Sequence, residues 1–171
     1  MATNSTIESN LHIAGRLTAQ SATLPDSTVT DAMVASDAAI SASKIVHRFP
    51  LRHSQNGGAV VADATEAIHV ARAAGTIKAI EAVIDDTVPV GDSTVTVDLE
   101  KGNAASAYAS VLSAVLTINS STVLRTPTTG TVTSTSVADG DSLRVVVDAT
   151  VGTGTLPTGL VVTVFLEESP A

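Results

Sequence analysis

Residues 93–99 read STVTVDL, and their alternation decides the fold class: Val95, Val97 and Leu99 fall on one side of an extended chain, Thr94, Thr96 and Asp98 on the other. A strand of this kind buries one face and wets the other. Working outward, β-branched runs recur at 66–72, 76–85, 109–119, 130–137, 142–150 and 159–167. Turn signals separate them: Ala74-Gly75, Pro89 with Gly91-Asp92, Lys101-Gly102-Asn103, Pro127, Asp139-Gly140-Asp141 and the stretch 152–159. Seven short runs bounded in this way predict an all-β sandwich. Val162, Val164 and Leu166 repeat the alternation against Thr163 and Glu167, and His69, between Ile68 and Val70, is expected to point away from the core. The unbroken Val145-Val146-Val147 predicts a strand covered on both faces. Long Val- and Thr-rich strands with few lysines leave edges that invite pairing, and a symmetric oligomer is the economical cover.

The first third of the chain follows a different pattern. From Leu11 to His53, single apolar residues stand among short polar ones, too irregular for a long helix and too sparse for a core. Thr30-Asp31 and Ser36-Asp37 offer caps for single helical turns. Ordering such a segment costs about 1–2 kcal/mol per residue, which burial elsewhere must offset. The expectation is an extended N-terminal arm over residues 1–58, with Gly57-Gly58 as the joint to a sandwich over 59–171.

Composition agrees with this division. The chain has 171 residues, a size that suits one domain with an extension, and only two Phe, one Tyr and no Trp. A chain without large aromatics must bury many Val, Ile, Leu and Ala contacts or borrow surface from a neighbour, and we favour the second. Residues 1–53 hold four acids and four bases, so residues 54–171, with thirteen acids and five bases, carry the whole net charge of −8. An acidic body opposes nucleic-acid phosphates, so no nucleic-acid partner is expected. No run of 18 apolar residues and no basic start followed by an apolar stretch is present, so neither a membrane span nor a secretion signal is expected.

The chemistry-bearing residues do not form a catalytic pattern. Cysteine is absent. His12, His47, His53 and His69 lack metal-ligand spacing, and neither His47 nor His53 has a nearby carboxylate in sequence to orient it. Asp139-Gly140-Asp141 has the makings of a tight turn, and Asp85-Asp86 ends a strand. Gly152-Thr153-Gly154 is not followed by the Lys-Thr of a phosphate loop, and no nucleophile elbow occurs. We expect no enzyme, cofactor or metal. Lys44, His47, Arg48, Arg52 and His53 form the one basic cluster, read as a dock for an acidic partner.

Two stretches carry a resemblance. LPDSTVTDAMVASDAAISASKIVHR, residues 24–48, resembles leader segments of tailed-phage virion proteins that precede a β-sandwich and help to organise trimers. DGDSLRVVVDATVGTGTLPTGLVVTVFLEE, residues 139–168, is similar to the closing strands of jelly-roll modules in phage head-decoration and fibre proteins. The resemblance implies a jelly-roll-like sandwich with an N-terminal arm, a homotrimer, the major capsid protein as partner and a place on the capsid exterior. The absence of a long repeat favours a compact decoration, or cement, protein. Its expected capsid and subunit contacts are Leu11, Ile13, Leu17, Leu24, Val29, Met33, Val34, Ile40 and Ile45, with Lys44, Arg48 and Arg52 as charged anchors. A trimeric tail or neck fibre and a carbohydrate-binding sandwich are the alternatives, and the scarcity of aromatic platforms weighs against the latter.

Overall fold

A computed structural model describes residues 47–168. Ten strands form two antiparallel sheets: β1 (His47–Ser54), β2 (Ala64–Val70), β3 (Gly75–Thr87), β4 (Thr94–Asn103), β5 (Ser106–Ser110), β6 (Leu116–Ile118), β7 (Thr128–Gly130), β8 (Ser136–Val137), β9 (Ser142–Thr150) and β10 (Thr158–Glu168). Sheet A has the order β1-β10-β3-β7 with β8 also on β3, and sheet B the order β2-β9-β4-β5 with β6 also on β4. The all-β sandwich expected from the sequence is the fold.

The pairing is nested. β1 pairs with β10, β2 with β9, β3 with β7 and β8, and β4 with β5 and β6, all antiparallel. That order describes one long two-stranded ribbon turning back at residues 104–105. The ribbon is then folded, so that its segments lie side by side through the β10–β3 and β9–β4 contacts. The inner faces carry what the alternation demands: Ile80, Val162 and Val164 from sheet A and Val97, Leu99 and Val145 from sheet B are at most 1 % exposed. The largest fully buried side chains are all Ile, Leu or Val, so the body fills its own core with aliphatic groups. Borrowed surface, favoured from composition, is not what closes it.

Four details differ from the sequence reading. Run 109–119 divides between β5 and β6, where Val111 and Leu112 turn into the core, and run 130–137 divides between β7 and β8, where Thr131 O and Thr133 N–H bond instead with Ser113 N–H and Val111 O. Gly130 ends β7 where a Cβ would stand 2.7 Å from a Leu116 methyl and 2.9 Å from an Ile80 methyl, so any larger residue there must displace those two side chains. Val146 is half-buried on the outer face, and among the described residues nothing covers it fully. His47–Ser54, within the range read as arm, is a strand of sheet A, and Gly57-Gly58 lies in the β1–β2 connection. Here Leu51 packs against the core and His53 is buried, while Arg48, Pro50 and Arg52 are exposed, an alternation that proline and arginine disguise in the sequence.

Candidate functional site

β1 sits at the edge of sheet A, and its register decides which way everything on it faces. Gln55 N–H donates to Leu160 O at 2.8 Å, continuing the pairing of His47 with Glu168. Odd-numbered residues of β1 therefore exchange backbone bonds with β10, and Arg48, Pro50, Arg52 and Ser54 turn their backbone groups to the open edge. Pro50 has no N–H to offer there, which blunts the edge at its middle.

The side chains of those residues lie on the outer face of sheet A in rows across three strands. Arg48 stands opposite Glu167, Pro50 opposite Phe165 and then Ala79, and Arg52 opposite Thr163 and then Glu81. A β-bulge, marked by Phe165 opposing Ala79 while Leu166 opposes Ile77, leaves Lys78 as an extra residue. The bulge puts Lys78 on the same face. Together these side chains bound a depression of about 450 Å³, with Pro50, Ala79 and Phe165 as its apolar floor and Arg48, Lys78 and Glu167 at its rim. Glu167 accepts from Lys78 Nζ at 2.8 Å and from Arg48 Nε at 2.7 Å. The Lys78 hydrogen bond, with the Arg48 charge behind it, holds the Glu167 carboxyl below the usual carboxylate range.

The histidines have a different setting. His53 Nδ1–H, on β1, donates to Glu66 Oε2 of β2 at 2.5 Å, and His69 Nε2–H, on β2, donates to Glu168 Oε1 of β10 at 2.7 Å. A carboxylate only accepts, which assigns those protons to the rings. His69 thus faces inward, contrary to the sequence expectation, because the register shift between Ala67 and His69 reverses its side. Phe49 lies between His47 and His69, 6.1 and 6.0 Å from their ring centroids. These groups join sheet A to sheet B along the β1–β2 side. Among the described residues no three His, Asp or Glu side chains converge as a metal site.

Other candidates serve their own chain. Asp92 fills the Gly152–Gly154 loop, accepting from the Thr153 backbone N–H and, at 2.6 Å, from its hydroxyl. The hydroxyl first and the N–H second hold the Asp92 carboxyl below its ordinary range. Tyr108, the one tyrosine, lies 3.9 Å from the Arg144 guanidinium and donates to Ser142 Oγ at 2.8 Å, so its ring is not an open platform for a sugar.

Of the residues expected to make contacts, Leu11, Ile13, Leu17, Leu24, Val29, Met33, Val34, Ile40, Lys44 and Ile45 lie outside the described residues. Arg48 and Arg52 are on the outer face, whereas His53 points inward, so strand alternation divides the basic cluster. The reading missed Lys78, Phe165 and Pro50. A signal was present for Phe165: between Val164 and Leu166 it is the one large aromatic on the wet side of its strand. Comparison with protein-family models, curated proteins and solved structures finds no significant match for this chain.

Proposed function

We propose that the chain is a bacteriophage structural protein, a capsid decoration protein that binds the outside of the head shell as a homotrimer and stabilises it, on a body of jelly-roll type. The nested strand order, a ribbon folded so that β1-β10-β3-β7 faces β2-β9-β4-β5, supports the jelly-roll reading. The observation that carries the functional reading is the depression on sheet A, an apolar floor with cations at its rim on a body that is otherwise acidic. It adjoins β1, the strand into which residues 1–46 lead. Surfaces of this kind act in assemblies by repetition: burial worth roughly 25 cal/mol per Å² of apolar area at each contact adds up over three subunits and many sites.

The test is to mix the purified full-length chain with undecorated shells assembled from the major capsid protein encoded with it. Trimers by sedimentation equilibrium, co-pelleting with shells and a higher shell disruption temperature are the expected outcome. A monomer that leaves shells unbound and no more heat-resistant overturns the proposal.

A further inference from the structure

Glu167 positions two cations while using only part of their donor capacity. Arg48 gives it an N–H from Nε and Lys78 one from Nζ, whereas a guanidinium carries five N–H donors and an ammonium three. The two side chains are 82 % and 48 % exposed, so the remaining donors are open to water. Next to them lies the floor of Pro50, Ala79 and Phe165, with Phe165 itself 39 % exposed. Residues 47–168 hold thirteen acids and seven bases, and three of those bases, Arg48, Arg52 and Lys78, share this face with only Glu81 and Glu167 close by. The outer face of sheet B has the opposite sign, with Asp98, Glu100 and Asp148 against Arg144. Pro50 denies a donor to any strand that would add to the β1 edge, which favours side chains docking on the face over β-addition.

We infer that the depression receives an acidic polypeptide segment of a partner protein: an aliphatic or aromatic side chain seats on Pro50, Ala79 and Phe165, and an adjacent carboxylate is taken by Arg48 and Lys78. The inference rests on the reading of the chain as a shell-binding protein and names the chemistry of its partner. Charge-assisted bonds from guanidinium to carboxylate supply orientation, apolar burial supplies most of the free energy, and the charge contribution weakens with salt. Glu167 keeps both cations in place before the partner arrives, which reduces the ordering that binding requires.

The experiment titrates the ¹⁵N-labelled full-length chain with acetyl-Asp-Leu-Asp-Leu-amide and with acetyl-Lys-Leu-Lys-Leu-amide, at low and high sodium chloride. The acidic peptide is expected to shift amides within 48–52, 78–79 and 165–167. Its binding is expected to weaken severalfold in high salt and at least tenfold in Lys78→Glu and in Phe165→Ser, with unchanged cross-peaks elsewhere reporting an intact fold. Equal binding of both peptides, no binding at millimolar peptide, or self-association of the chain through the same residues overturns the inference. Shell pelleting separates it from the functional proposal. If wild type pellets and the Lys78→Glu/Phe165→Ser double variant does not, the inference is supported. If both pellet equally, the docking site is refuted and the function stands. If neither pellets while the acidic peptide still binds wild type, the function is refuted and the docking site stands.

Discussion

Asp141 shows how a single side chain holds a corner of this fold. It is 4 % exposed, accepts from Ala138 N–H at 2.9 Å through one oxygen and from Asn103 Nδ2 at 2.7 Å through the other, and lies 3.8 Å from Lys101 Nζ. Gly140 before it takes φ 81°, so the tight turn read from Asp139-Gly140-Asp141 is formed. The Ala138 N–H first, and the Asn103 amide second, hold the Asp141 carboxyl below its ordinary range. An amide cannot accept at both positions, so Asp141→Asn leaves one donor facing another and should lower stability by about 2 kcal/mol in urea unfolding at neutral pH. Because the folded carboxyl titrates below the unfolded one, its contribution is complete above about pH 4 and is lost as pH falls through the lower folded value. The stability gap between wild type and Asp141→Asn should therefore be constant from pH 5 to 7 and close below pH 4. A gap unchanged at pH 3 would show that charge at this position contributes nothing.

At the level of the strand, Pro50 controls the exposed edge of sheet A. Replacing it with threonine restores an N–H in the middle of β1's open side, among Val- and Thr-rich strands suited to pairing. Pro50→Thr should leave the unfolding midpoint nearly unchanged and produce concentration-dependent aggregation by light scattering; a variant as soluble as wild type would show that the edge is protected by other means. β1 also marks where sequence reading stopped. β4 was legible because Val95, Val97 and Leu99 alternate with Thr94, Thr96 and Asp98, and β9 and β10 because their Val-rich runs are bounded by turn residues. In β1 the inward residues are Phe49, Leu51 and His53, and proline with two arginines on the other side imitates a solvated connector. The depression was not legible for a different reason. Pro50, Phe165 and Ala79 meet only through two long-range registers, and Lys78 joins them only through a bulge, neither of which local periodicity encodes.

For the molecule as a whole, the boundary of the folded body is the testable quantity. A chain starting at residue 47 keeps all ten strands and should unfold in one cooperative transition. A chain starting at residue 59 loses β1, uncovers the β10 edge and leaves Glu66 without His53. Phe49 and Leu51 are half-buried, each contributing less than the roughly 1.5–3 kcal/mol of a fully buried side chain, and their loss together with the β1–β10 pairing should measurably lower its stability in urea titration. Equal stability of the two chains would return β1 to the arm. The pairing of β1 with β10 also has a mechanical meaning. His47 stands opposite Glu168, so the two ends of the described body emerge side by side at one corner. Tension that draws those ends apart loads the β1–β10 hydrogen bonds one after another, as in opening a zip, and never shears them together. Such a body yields to a small pull applied through its two ends and resists a much larger one applied across the sheets. A body built this way holds firmly when gripped by its face and peels open with little force when drawn by the two ends of its described residues.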